Sequence, residues 1–381
     1  MTTADLDRAM VERAARLALR GHGDAEPNPS VGCVIADADG RVVGEGRTAI
    51  CGGPHAEVVA IGRAGDAARG GTAWVTLEPC NHHGRTPPCV DAIIEAGLAR
   101  VVIGVRDPNP VAAGGLDRLR RAGVEVVVRD DVAAPRRLHA NFLARIATAR
   151  PWLIAKWAET ADGDLIAPPD RARTISSPAA HRMVHRERGR VDAILTGIGT
   201  VLADDPRLDV RTRHARRTPR RVVVDRSLAS PPDATLFRTP GGPVIVAADA
   251  DVLDAHPERR DALADVGATF IALPADSDAG SDADSGIDQR RRTSPDALRH
   301  LMHVLARDHD VATVLTEAGP GLLTDLFDAD LVNAALVFTA PWSFDERTTT
   351  NPPRDRLDHE RHEPLWSGHR GGDRVAWWQR V

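Results

Sequence analysis

The stretch Pro79-Cys80-Asn81-His82-His83-Gly84-Arg85-Thr86-Pro87-Pro88-Cys89, read together with His55-Ala56-Glu57, decides how this chain folds. His55, Cys80 and Cys89 offer one imidazole and two thiols, three soft ligands of the kind that suit Zn²⁺. Three protein ligands leave the fourth tetrahedral position open for water, which is the catalytic pattern and not the structural one. Glu57, two residues after His55, is poorly placed as a fourth ligand and well placed to carry protons. Residues 55–64 fit a helix, 72–77 a strand and 88–96 a second helix. His55, Glu57 and Cys89 then lie in first helical turns, and Cys80 lies in the turn after a strand. Two helix N-termini aimed at the metal favour thiolate and hydroxide over their protonated forms.

A structural zinc knuckle is the competing reading. It needs a fourth ligand from His82 or His83, only two or three residues beyond Cys80 in a proline-containing loop. The order H-x-E…P-C matches the signature of zinc-dependent base deaminases, where the carboxylate shuttles protons between water, ring nitrogen and leaving ammonia.

Working outward, Leu6, Met10, Ala14 and Leu17 recur at helical spacing, with Thr3 or Asp5 as the candidate cap. Pro27-Asn28-Pro29 forces an extended loop. Strands are expected at 31–36 and 41–46 with Asp39-Gly40 turning between them. Beyond the metal segment, strands at 101–105 and 124–128 alternate with helices near 116–122 and 131–147. The alternation implies a layered α/β domain. A second α/β pattern follows, with strands at 152–157, 193–196, 222–224, 244–247, 269–273, 313–316 and 334–338 and a helix at 178–188. Residues 274–295 are rich in Asp, Ser, Gly and Arg and read as a loop insertion without core-forming content. The polar tail 343–373 resists assignment, and 375–378 is expected to close an edge strand. Gly197-x-Gly199-Thr200 and Gly319-x-Gly321 each follow a strand, where glycines let backbone N–H groups approach a phosphate. An ordinary tight turn explains each one equally well on its own.

The 381 residues suggest two domains, and 42% hydrophobic with 27% charged residues supports a packed globular core. A formal net charge of −5 with dispersed arginines argues against a nucleic-acid binder. Four cysteines do not form a disulfide scaffold at this length. Met1 to Asp5 lacks a basic segment followed by an apolar one, and no apolar run reaches membrane-span length, so a cytoplasmic protein is expected.

The first half closely resembles the bifunctional riboflavin-biosynthesis deaminase/reductase family. The resemblance rests on Pro27-Asn28-Pro29-Ser30-Val31-Gly32-Cys33, His55-Ala56-Glu57-Val58, Thr76-Leu77-Glu78-Pro79-Cys80, the His82 to Cys89 run and Asp107-Pro108-Asn109-Pro110. It implies a cytidine-deaminase-like three-layer domain over 1–149, which removes an amino group from a diaminopyrimidinone ribosyl phosphate. It also implies that His55, Cys80 and Cys89 bind zinc, that Glu57 is the proton shuttle, and that Asn28, His82 and Arg85 meet the substrate. Two positions depart from the family pattern: Thr48 aligns with its usual histidine, and Val111-Ala112-Ala113-Gly114-Gly115 replaces its V-A-G-x-G.

Residues 150–381 resemble the family's reductase, similar in fold to dihydrofolate reductase. The matching segments are Asp162-Gly163, Ser176-Ser177-Pro178, the run from Gly199 to Leu208, and Glu317-Ala318-Gly319-Pro320. The resemblance implies NADPH-dependent reduction of the ribose to a ribityl chain. It places Ala158, Thr200, Asp204, Gly319, Pro320, Gly321, Leu322, Leu323, Thr324 and Asp325 at the cofactor, and Arg188, Leu208, Arg211 and Glu317 at the substrate. Ala172, Thr174 and Arg226 depart from the family's usual serine, tryptophan and serine, which motivates a rival reading, a deaminase joined to a degenerate reductase. A binding module that merely keeps the fold is disfavoured by the intact His55, Glu57, Cys80 and Cys89. The family also implies a small-molecule substrate, no nucleic acid or membrane partner, and a homo-oligomer.

Overall fold

The computed structural model describes all residues except 1, 84–86, 113, 167–174, 213–214, 276–291, 346–352, 358–359 and 381. The chain divides into two compact units, Met1–Thr148 and Ala149–Val381.

The first unit runs α1 (Thr3–Leu19), β1 (Gly32–Ala36), β2 (Val42–Arg47), α2 (Ala56–Ala64), β3 (Thr72–Val75), α3 (Cys89–Glu95), β4 (Arg100–Ile103), α4 (Gly115–Arg121), β5 (Glu125–Val128) and α5 (Ala133–Thr148). The cap of α1 is Thr2, not Thr3 or Asp5. Its hydroxyl accepts from Asp5 N–H at 3.2 Å, and the Asp5 carboxylate accepts from Thr2 N–H at 3.0 Å, a reciprocal pair that satisfies two otherwise orphaned donors. The sheet order is β2-β1-β3-β4-β5; β2 is antiparallel to β1, β1 to β3, and the rest are parallel. Alternation sorts the side chains into two layers. Cys33, Ile35 and Val75 pack with Ala56, Ala60, Val90 and Ile93 of α2 and α3. Val34, Ala36 and Trp74 pack with Met10, Val11 and Ala14 of α1. Helix α2 lies so close to β2 that a Cβ on Gly46 would stand 2.1 Å from Ala56 O, so only glycine lets the metal-bearing turn approach the sheet.

The second unit runs β6 (Trp152–Glu159), α6 (Pro178–Arg188), β7 (Ala193–Gly197), α7 (Ile198–Asp204), β8 (Arg220–Val224), α8 (Thr235–Arg238), β9 (Val244–Asp249), α9 (Ala250–Ala255), α10 (Pro257–Asp265), β10 (Ala268–Leu273), α11 (Pro295–His309), β11 (Thr313–Thr316), α12 (Pro320–Asp328), β12 (Val332–Thr339), β13 (His362–Arg370) and β14 (Asp373–Arg380). Its sheet order is β10-β9-β8-β7-β11-β6-β12-β14-β13, parallel through β12 and antiparallel thereafter. The expectation that 375–378 closes an edge is corrected: β14 is paired on both sides, and β13, in the tail the sequence left unassigned, is the edge strand. The sequence reading names strands and one helix here; the structure adds α7 to α12. Most of the expected insertion, 276–291, lies outside the described residues. Helix α11 begins at its far end, with Ser294 capping and Pro295 opening the first turn.

His139 of α5 is buried, and its Nε2 lies 3.0 Å from Thr76 Oγ1, which accepts from Gly32 N–H at 3.1 Å. Burial holds this imidazole down to about 3. Above the ordinary histidine range both folded and unfolded chains carry it neutral, so it adds no pH dependence. Below about 6.5 the unfolded chain takes up a proton that the folded chain refuses, and stability falls by about 1.4 kcal/mol per pH unit until the folded value is reached. Urea unfolding of wild type and His139→Gln at pH 7, 5 and 4 should show a shallower acid loss in the variant; identical slopes contradict this assignment.

Candidate active sites

His55 is the N-cap of α2, Cys89 is the first residue of α3, and Cys80 sits in the turn after β3. The structure brings the three together. His55 Nδ1 lies 3.2 Å from Cys89 Sγ and 3.5 Å from Cys80 Sγ, and all ligand atoms fall within 4.8 Å of one another. One nitrogen and two sulfurs at this spacing fit a single Zn²⁺. The thiol of Cys80 is held well below its ordinary range, first by its hydrogen bond with Cys89 and then by His55, whereas that same bond and burial push Cys89 up. Of the two thiols, Cys80 is therefore the easier to ionise, as a metal ligand must.

Glu57 is buried, at 4% exposure, in the first turn of α2. Burial pushes its carboxyl up to about 7, where it can both take and give a proton near neutral pH. His82 Nδ1 is buried and has no hydrogen-bond partner among the described residues, an orphaned polar atom beside the donor set. Asn28 is half-buried in the turn before β1, its N–H bonded to Ala25 O. Arg85 lies outside the described residues. Thr48 is buried and structural: its hydroxyl accepts from Val31 N–H at 2.9 Å, tying the approach to β1. Glu78 and Asp107, which line this turn, are wired to backbone: Glu78 accepts from Leu116 and Asp107 N–H, both at 3.3 Å.

In the second unit Arg188, at the end of α6, makes a two-pronged bond to Glu317, just beyond β11: Nε to Oε1 at 2.5 Å and Nη2 to Oε2 at 3.0 Å. Lys156 Nζ of β6 stands 3.7 Å from the same carboxylate. Burial works to raise Glu317, but Arg188 and Lys156 overcome it and hold the carboxyl down to about 2. Burial lowers Lys156, with Glu317 opposing. Arg211 bonds His185 at 3.1 Å and lies 3.6 Å from Asp209, whose other cation, Arg188, is at 4.0 Å. Three cations face two carboxylates, so the cluster keeps one positive charge in excess, as an anionic ligand requires. Leu208 is buried with φ of 49°, a left-handed conformation that leucine rarely adopts. Sequence reasoning assigned Arg188, Leu208, Arg211 and Glu317 and missed Lys156. A signal was available: Lys156 is the only lysine in 381 residues, in a chain that uses arginine everywhere else.

The two glycine motifs meet. Strands β7 and β11 are parallel neighbours, so Gly197 and Gly319 follow adjacent strand ends. A Cβ on Gly319 would lie 3.8 Å from Thr200 Oγ1, and one on Gly197 would touch Leu322 at 3.3 Å. At Gly199 and Gly321 a Cβ would meet nothing, which leaves the backbone of both turns open to a ligand such as a dinucleotide. Gly319 caps α12, with Pro320 at its first position. Ala158 is packed near Ile175, Ala340 and Phe344. Leu323 is buried in the core, and Asp204 ends α7. The Asp325 carboxylate is committed to Arg292, at 2.6 Å, and to Thr293 N–H, at 2.9 Å. Arg226 is buried in a bidentate pair with Asp249, at 2.7 and 2.8 Å, so its charge is matched within the fold. Ala172 and Thr174 lie outside the described residues.

Fold and sites together define a zinc-binding deaminase domain joined to a reductase domain. Residues 4–105 match the cytidine and deoxycytidylate deaminase zinc-binding region, and residues 151–353 match the RibD C-terminal domain. A riboflavin biosynthesis protein RibD of Aquifex aeolicus is 34% identical over 338 residues, 88% of this chain and 87% of that one. The Acinetobacter baumannii RibD structure aligns with a TM-score of 0.79 at 30% identity over 99% of both chains. A Thermotoga maritima diaminohydroxyphosphoribosylaminopyrimidine deaminase/5-amino-6-(5-phosphoribosylamino)uracil reductase aligns with a TM-score of 0.76 at 29% identity over 100% of both. The chain belongs to the RibD family.

Lys156→Met leaves Arg188 and Glu317 paired but removes the half-buried ammonium beside them. NADPH-dependent reduction should fall about 100-fold while ammonia release is unchanged; a variant that reduces at the wild-type rate removes Lys156 from the site.

Proposed function

We propose that this chain performs two consecutive steps of riboflavin biosynthesis, hydrolytic deamination of a diaminopyrimidinone ribosyl phosphate and NADPH-dependent reduction of the product's ribose to ribityl. The observation that carries the first step is the convergence of His55, Cys80 and Cys89 beside the buried Glu57. Zinc, when held by those three side chains, supplies the Lewis acidity that makes water nucleophilic at neutral pH. Glu57 would take one proton from the attacking water and pass it to the ring nitrogen, then take the remaining hydroxyl proton of the adduct and give it to the amino group, so that the carbonyl forms as the carbon–nitrogen bond breaks and ammonia leaves. His82 presents its unpartnered nitrogen to the substrate, and Asn28 and Arg85 complete that contact set.

The second step is supported by the Lys156, Arg188 and Glu317 cluster and the paired glycine turns. NADPH would be held along Ala158, Thr200, Asp204 and the segment from Gly319 into α12 as far as Asp325, and would supply the hydride. The sugar carbon gains the hydride, the bond from that carbon to the ring oxygen breaks, and the released oxygen takes a proton. Lys156 is the amine nearest that chemistry, and the ionised Glu317 accepts from sugar hydroxyls. Arg211, more than half exposed, would meet the phosphate, and the positive excess around Arg188 would draw it in. The domain limits follow: zinc-dependent deaminase over 1–149 and NADPH-dependent reductase over 150–381.

The rival reading, a deaminase with a degenerate second domain, is not favoured. Arg226 is paired with Asp249, and Arg188, Lys156 and Glu317 stand together. No described helix is long and apolar enough to cross a membrane; a cytoplasmic homo-oligomer belongs to the proposal on the strength of the family resemblance.

Glu57→Gln should keep its zinc and lose deamination by about 10²–10⁴-fold, because proton transfer fails while the ligand set is intact. Metal analysis and ammonia release measured on the same sample decide this; near-normal turnover in a zinc-loaded variant rules Glu57 out as the shuttle.

A further inference from the structure

The two zinc thiols come from different elements, the turn after β3 and the first turn of α3, separated by a loop. Little backbone bonding joins them: Cys89 N–H points to Cys80 Sγ at 3.4 Å, and Val90 N–H to Cys80 O at 3.4 Å. A third element, α4, spans the gap. Its first residue sits directly on the Cys80 turn, where a Cβ at Gly115 would stand 2.2 Å from Pro79 O, and Leu116 N–H bonds Glu78. One turn further on, Arg118 directs its two terminal nitrogens apart. Nη1 donates to Asn81 Oδ1 at 3.1 Å, on the residue next to Cys80, and Nη2 donates to Asp91, two residues after Cys89.

We propose that Arg118 is a positioning residue for the metal site, clamping the Cys80 turn to the Cys89 helix so that both thiols stay at ligand distance. The inference rests on the zinc reading of His55, Cys80 and Cys89. A guanidinium presents several donors in a fixed plane and can serve both segments at once, whereas an ammonium is a single point. The side chains of Arg118 and Asp91 are 40% and 27% exposed, so the pair is screened by water and adds little to global stability. Its effect is geometric. Metal leaves such a site one ligand at a time, and a thiol held in place rebinds before the others let go. Groups that orient first ligands in this way are worth about 10–100-fold in metal affinity.

The test is zinc release from the full-length, zinc-loaded chain to a chelating dye, for wild type, Arg118→Met, Arg118→Lys and Arg120→Met. Arg120 lies on the same helix but, among the described residues, pairs with exposed Asp117. Arg118→Met should release zinc about tenfold faster or more, Arg118→Lys should fall between it and wild type, and Arg120→Met should match wild type. Circular dichroism at the assay temperature should be the same for all four. Release at the wild-type rate from folded Arg118→Met overturns the clamp. If that variant does not fold, Asp91→Asn and Asn81→Ala each cut one arm, and unchanged release in both overturns it equally. A wild-type chain that takes up no zinc defeats the zinc reading itself, a result distinct from either.

Discussion

Three soft donors must come within about one metal diameter of each other although they are separated in sequence, and the architecture of the first unit follows from meeting that constraint. His55 and Cys89 arrive at helix starts, where backbone N–H groups are unpaired and the local field favours anions. Cys80 arrives in the turn beyond β3, a buried strand antiparallel to β1 and parallel to β4. Gly46 lets α2 descend onto β2, and Gly115 lets α4 descend onto Pro79. The same close packing buries Glu57. Burial, which would be a cost for an idle carboxylate, here raises it to the range where proton transfer in both directions is easy.

In the second unit the constraint is electrostatic, a largely buried carboxylate held between cations. The fold gathers Lys156 from within β6, Arg188 from the end of α6, Glu317 from just beyond β11, and Asp209 and Arg211 from the segment after α7, with one positive charge left over. The open glycine backbone of two neighbouring turns lies on the adjoining strands. Arg226 illustrates why a residue type read alone misleads. A new arginine near a cofactor suggests either an extra phosphate ligand or an obstruction, and the bidentate bond to Asp249 makes it neither.

Much of this was legible in the sequence because metal ligands, helix starts and buried strands carry strong local signals. The zinc triad, Glu57 and the alternation of strands and helices in the first half could be read from spacing alone. The second half was less legible. Helices α7 to α12 are short or flanked by glycine and proline, and the strand signal of their neighbours dominates any reading by apolar runs. Strand β13 is largely exposed and half-buried in turn, and β14 buries Asp373, Val375 and Gln379, so pairing with β12 more than an apolar face defines the tail hairpin. Lys156 sits in an apolar strand, where it reads as an interruption; its partner Glu317 is 161 residues away, and only the fold makes them neighbours. The Arg118 contact is invisible in the sequence for the same reason: nothing in a helix with several arginines marks the one that joins the Cys80 turn to α3.

The central claim is that one chain runs deamination and reduction in sequence. The most direct measurement supplies the diaminopyrimidinone ribosyl phosphate and NADPH to the zinc-loaded protein and follows ammonia and NADPH together. The account predicts one NADPH oxidised for each ammonia released, with both lost in Glu57→Gln and NADPH oxidation restored when the deaminated intermediate is added. Ammonia released with NADPH untouched, in a folded protein given that intermediate, would contradict it.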